Sequence, residues 1–194
     1  MTDLPSEPGA VDGKVLSIWK DERNTVSILS KTQENLQEAF AGESQANRMY
    51  LAFAKKADED GFPQVAKLFR AAADSETVHA LAHFKVMGNV KSTAENLKAS
   101  VHGENYEHTS MYPGFVEQAK AEGNKEAMLS FNYAMQVEVL HEELYSQALE
   151  AVSGGSDLPA EDLHVCQHCG YVAQGEAPKR CPVCGRPHEI FQKV

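Results

Sequence analysis

From Ser30 onward, apolar residues such as Leu36 and Phe40 recur at helical intervals as far as Gly61, and Ser30 with Gln33 has the form of a capping box. A first helix is predicted between those limits. Gly61 and Pro63 put a glycine just past one helix end and a proline just inside the next, so a second helix is predicted from about Phe62 to Met87, where Gly88-Asn89 stops it. Ser92 with Glu95 offers another capping box and opens a third helix near Thr93. Gly123-Asn124 divides this helix from a fourth, which runs out in Ser153-Gly154-Gly155-Ser156. Four long amphipathic segments joined in pairs by short turns predict an all-α four-helix bundle over residues 30–152. Residues 153–163 read as a linker and 164–194 as a small separate unit. Residues 1–29 are rich in Pro, Gly, Asp and Ser around one apolar patch, Val15–Trp19, and read as an irregular arm.

A chain of 194 residues accommodates one ordinary domain and a small appendage. No apolar run approaches the roughly 20 residues of a membrane span, and the first ten residues have neither the basic nor the apolar part of a secretory signal. A cytoplasmic location and no membrane partner are expected. The net charge of −10, without any Lys/Arg cluster, argues against a nucleic-acid partner.

Candidate chemistry comes from an internal repeat. Glu43 is followed by Glu76-x-x-His79, and Glu104 is followed at nearly the same distance by Glu138-x-x-His141. Residues three apart share a helix face, so each Glu-x-x-His pair presents two donors together. Glu43 lies among Ala39, Phe40, Ala46 and Tyr50, on a face that should turn inward, where an uncompensated carboxylate is costly. Carboxylates with two imidazoles suit iron or manganese, and two bridged cations would neutralise several of these charges. His83, His102, His108, His164, His168 and His188 lie outside the repeat and read as surface or satisfied polar groups. His79-x-x-x-His83 lacks the glutamate that follows the first histidine of a zinc-protease helix.

All four cysteines fall in the last unit, as Cys166-x-x-Cys169-Gly170 and Cys181-Pro182-x-Cys184-Gly185. Two such turns offer four thiolates to one tetrahedral ion, with zinc or a single iron as candidates.

Together these residues resemble the rubrerythrins. The resemblance runs from about Thr32 to Phe191 through Ala39-Phe40-Ala41-Gly42-Glu43-Ser44-Gln45-Ala46, Gly103-Glu104-x-x-Glu107, Met111-Tyr112-Pro113, both Glu-x-x-His pairs and both cysteine turns. It implies a ferritin-like bundle with a non-haem di-iron centre, a rubredoxin-like C-terminal unit holding one iron, and reduction of hydrogen peroxide. It further implies that Glu43, Glu76, His79, Glu104, Glu107, Glu138 and His141 ligate the iron pair, and that Cys166, Cys169, Cys181 and Cys184 ligate the single iron. Glu107 would be the carboxylate exchanged for a histidine when the iron changes oxidation state, and Tyr50 and Tyr112 would hydrogen-bond ligand carboxylates. A reductase drawing on NAD(P)H, or a rubredoxin, is the expected electron donor. The N-terminal arm is longer, and the connection after the second helix shorter, than the resemblance leads one to expect. A ferritin-like iron oxidase or store, and a regulatory module with structural zinc, are the alternative readings.

A homodimer is also expected. In pseudo-two-fold di-iron sites the two Glu-x-x-His helices run antiparallel, which here makes the second helix parallel to the third. The chain would then have to return along a helix of about 25 residues, roughly 38 Å. About five connecting residues reach only ~18 Å. The first helix pair is therefore expected to join the second pair of a partner chain.

Overall fold

The structure, a computed structural model, describes residues 30–194, and the predicted arm 1–29 lies outside the described residues. Two compact units result, one ending at Asn96 and the other spanning Leu97–Val194.

The first unit is a helical hairpin of α1 (Lys31–Glu59) and α2 (Pro63–Val86). The Ser30 hydroxyl accepts the Gln33 N–H, and the Gln33 side chain accepts the Ser30 N–H at 2.9 Å, so the capping box forms as expected. At the other end Gly61 takes φ +81°, and the Phe62 N–H turns back to the Ala57 carbonyl at 2.8 Å. Small residues line the contact between the helices: Ala54, Ala57, Ala66, Ala73 and Ala80 are buried. Their size lets the backbones approach closely, and one buried polar side chain, Asn47, bridges them. Its amide donates to the Ala73 carbonyl at 2.7 Å and to the Thr77 hydroxyl at 2.8 Å. The opposite faces stay apolar and open, with Leu68, Val78 and Leu81 between 62% and 69% exposed.

The second unit starts with α3, which spans Thr93–Tyr106 and has its first turn at the boundary. The single third helix expected from the pattern is in fact interrupted by a π-helical turn, Glu107–Met111, before it continues as α4 (Tyr112–Ala121). A π turn takes in one extra residue without ending the helix. Gly123 at φ +71° closes α4, and the Asn124 side chain caps α5 (Lys125–Ser153) by accepting the Ala127 N–H at 3.0 Å. Tyr112, Phe115 and Phe131 pack with ring centroids 5.5 to 6.3 Å apart and hold α4 on α5.

Beyond α5 the chain forms a three-stranded antiparallel sheet ordered β2-β1-β3, with β1 at Leu163–Cys166, β2 at Val172–Gln174 and β3 at Phe191–Lys193. So small a sheet has little core of its own. It leans on α5, where the Tyr133 and His168 rings meet at 5.5 Å and Val137, 2% exposed, faces Gly170.

Candidate metal centres

Each Glu-x-x-His helix brings its pair together with a glutamate from an earlier helix, α1 for α2 and α3 for α5. In the first unit Glu43, Glu76 and His79 place donor atoms within 4.8 Å of one another. His79 Nδ1 lies 3.0 Å from Glu76 and 3.8 Å from Glu43. Asn47 and Thr77, one turn from Glu43 and next to Glu76, tie the two helices at this level.

The second unit repeats the arrangement with Glu104, Glu138 and His141, again within 4.8 Å. His141 Nδ1 is 2.6 Å from Glu138, a bond that raises the imidazole above the ordinary histidine range. Burial, and then the negative charge of Glu138, push the Glu104 carboxyl up to about 7. Glu107 stands outside the tight group of three, yet burial and the nearby Glu138 charge raise it too. Three carboxyls crowded in this way are poorly served by protons alone and well served by cations. The donor set fits such cations, since oxygens with one imidazole per half suit iron.

Tyr112 feels Glu107, Glu138 and Glu104, and burial with those charges raises its phenol, so it stays protonated and able to donate. Tyr145 is raised for the same reasons, by burial and then by Glu104 and Glu138. The sequence reading missed it, although its position four residues after His141 on one helix face was the available signal. Tyr50 packs its ring 6.1 Å from that of Phe69 and 6.4 Å from that of Phe53.

The four cysteines converge as the spacing predicts. Cys166 and Cys184 sulfurs are 3.6 Å apart and those of Cys169 and Cys181 3.5 Å apart, and all four lie within 4.8 Å. Sulfurs each ~2.3 Å from a common tetrahedral ion would be about 3.8 Å apart, whereas a disulfide requires about 2.05 Å. The geometry therefore fits a shared ion and excludes disulfides. Each pair rides on a tight turn: Gly170 N–H bonds the Cys166 carbonyl and Gly185 N–H that of Cys181, both at 2.9 Å. Burial opposes ionisation of Cys166, but the Cys169 and His168 N–H groups outweigh it and lower its pKa; burial raises Cys169 and Cys184. His164 and His188 bond backbone carbonyls, of Gly175 and Ala177, so neither enters the thiolate cluster.

The rubrerythrin family profile matches residues 34–149, more than half of the chain, and the profile described as "Rubrerythrin, rubredoxin-like domain" matches 164–192. The chain belongs to the rubrerythrin family. It is similar to the rubrerythrin of Porphyromonas gingivalis, 39% identical over 191 residues that cover 90% of this chain and 96% of that protein. Nigerythrin of Nitratidesulfovibrio vulgaris is 36% identical, covering 85% of this chain and 87% of its own length. Among solved structures, nigerythrin in its fully reduced, all-ferrous state covers 98% of this chain at 30% identity with a TM-score of 0.51. As a rubrerythrin, the chain is an oxidoreductase with a ferritin-like domain carrying a di-iron site of Glu and His groups, and a four-cysteine rubredoxin-like site.

Proposed function

We propose that this rubrerythrin reduces hydrogen peroxide to water, taking up two electrons and two protons per peroxide. The observation that carries the reading is the presence, in one compact unit, of a carboxylate–imidazole cluster and a four-thiolate cluster braced against the same helix, α5. Glu43, Glu76, His79, Glu104, Glu107, Glu138 and His141 would hold the iron pair, and Cys166, Cys169, Cys181 and Cys184 the single iron. Bound there, an iron pair would supply the two electrons that peroxide reduction consumes, and a thiolate-held iron would supply single electrons to replace them. The protein's own task is to hold these side chains in place. Tyr112 and Tyr145 stay protonated in the field of the second half-site's carboxylates and are the donors available to them. An NAD(P)H-dependent reductase or a rubredoxin supplies the electrons, in the cytoplasm, where thiolates stay reduced. The domain division that goes with this reading is an arm 1–29, a di-iron domain 30–152, a linker 153–163 and a rubredoxin-like domain 164–194.

We further propose that the working site is assembled across a homodimer, with α1 and α2 of one chain completing the site on α3–α5 of the other. The six residues between α2 and α3, and the open apolar face around Leu68, Val78 and Leu81, support this.

Purification without oxygen, metal analysis, visible spectra and peroxide turnover test the function together. Iron at both centres, a strongly absorbing ferric-thiolate band and catalytic peroxide loss are expected. Zinc alone among the thiolates, with a reduced bundle inert to peroxide, would overturn the proposal and leave the regulatory reading. Oxygen-dependent iron oxidation without peroxide turnover would favour the iron-oxidase reading.

A further inference from the structure

The two halves of the bundle repeat each other with one discrepancy. Tyr50, Phe53, Phe69, Glu76 and His79 each recur sixty-two residues later as Tyr112, Phe115, Phe131, Glu138 and His141, whereas Glu43 recurs after sixty-one as Glu104. One residue has therefore been added between Glu104 and Tyr112. The π-helical turn Glu107–Met111 lies at that place, with the Tyr112 N–H bonded five residues back to the Glu107 carbonyl. A π turn is the way a helix absorbs one extra residue without breaking. Glu107 begins the turn and is the carboxyl with no counterpart in the first half, where Ala46 occupies the matching position.

A π turn is rare and interrupts the bonding pattern of the α-helix around it, so contacts from a neighbouring helix can fix its shape. Here Glu142 of α5 does so with both oxygens. One accepts from the Asn105 amide at 3.1 Å, and the other lies 2.5 Å from His108 Nε2. Asn105 precedes Glu107 by two residues and His108 follows it by one, so the Glu142 carboxylate grips the chain on either side of Glu107. The His108 and Glu142 side chains are largely shielded, at 16% and 26% exposed. Thr109 adds a hydroxyl bond of 2.6 Å to the Asn105 carbonyl. In the first half the position matching Glu142 is Ala80, buried in the hairpin contact, where no carboxylate is available. The clamp therefore accompanies the inserted residue.

We propose that His108, Asn105 and Glu142 are positioning residues that fix the π turn and aim Glu107 at the metal cluster, making the second half of the site chemically different from the first. This deepens the proposed function and rests on its reading of Glu107 as a ligand. The three side chains act through Glu107.

The test uses full-length protein with His108→Ala, Glu142→Ala, His108→Gln, Glu107→Ala and the His108→Ala/Glu107→Ala double variant. Three quantities are measured: amide hydrogen exchange in the metal-free chain, affinity for the second cobalt(II) ion in zinc-preloaded protein, and kcat with KM for peroxide. Losing the clamp should speed exchange of the 107–112 amides about tenfold with α1 and α2 unchanged, and weaken the second cobalt about tenfold. It should also lower kcat about tenfold with KM within about twofold. His108→Gln, which keeps a donor near the Nε2 position, should recover most of each. Glu107→Ala should match the clamp variants in cobalt affinity, and the double variant should be no worse than Glu107→Ala alone. Wild-type kcat and cobalt affinity in Glu142→Ala would overturn the proposal, as would exchange rising equally throughout α3–α5, or losses that multiply in the double variant. If the wild type turns over no peroxide, the function falls separately, and the exchange and cobalt measurements still decide the clamp.

Discussion

Raising the pH from 6 to 8 should tighten the first metal bound by the metal-free second half-site about tenfold through Glu104 alone. The carboxyl must lose its proton to become a ligand, and burial with the Glu138 charge has pushed it up to about 7. At pH 6 roughly ten in eleven copies carry the competing proton, and at pH 8 about one in eleven, which gives the factor. A glutamate at its ordinary value of 4.5 would change affinity by only a few per cent over that range. His141, held protonated by Glu138, acts in the same direction. The same shift makes the metal-free fold most stable below about pH 4.5 and less stable as pH rises through about 7, because the charged form is the disfavoured one. A carboxyl raised this far would cost at most about 3 kcal/mol, and about half that once screening in the half-buried site is allowed for. The assay loads the thiolates with zinc, then titrates cobalt(II) against a competing chelator at pH 6, 7 and 8. Calorimetry in two buffers of different ionisation enthalpy counts the protons released. Wild type should release about one more proton at pH 6 than at pH 8, and Glu104→Gln should flatten most of the slope. An unchanged slope in Glu104→Gln would refute the assignment of the proton to this carboxyl.

Joint refolding of Glu76→Ala chains with Glu138→Ala chains should restore up to half the activity per mixed dimer, since one of its two sites is then wholly wild type; persistent inactivity would show that each site is built within one chain. Cys184→Ser should abolish the ferric-thiolate spectrum and multiple turnover while the reduced bundle still consumes peroxide in a single turnover, and unimpaired steady-state activity would contradict the relay. Asn47→Ala removes two buried bonds between α1 and α2 and should lower stability by about 1–2 kcal/mol in thermal or denaturant melts. An unchanged melt would mean that water or Thr77 replaces it at no cost.

Much of the site was legible because ligand spacing follows helix geometry. Glu76 with His79, and Glu138 with His141, share faces by a rule that holds in any α-helix, and the cysteine turns close by local N–H bonds to Cys166 and Cys181 carbonyls. The capping residues Ser30 and Ser92 were readable for the same reason. Glu142 was not legible. On its own helix it is one of several acidic residues around His141, and only the approach of the α3 end and the π turn to α5 makes it the partner of Asn105 and His108. Tyr145 and Asn47 escaped notice likewise, their roles depending on what faces them.

The chain's pattern by itself determined the limits of α1, α2 and α5, the two Glu-x-x-His pairs, the four-thiolate set and the one-residue mismatch between the halves, all of which are distances along a chain whose local geometry is known. Tertiary structure alone decided how the extra residue is absorbed. An added residue can be looped out, can end a helix or can widen one turn. Here the Glu142 carboxylate on a neighbouring helix stands where it can hold the widened turn. The raised Glu104 proton affinity is likewise a tertiary property, because burial and the approach of Glu138 from another helix produce it.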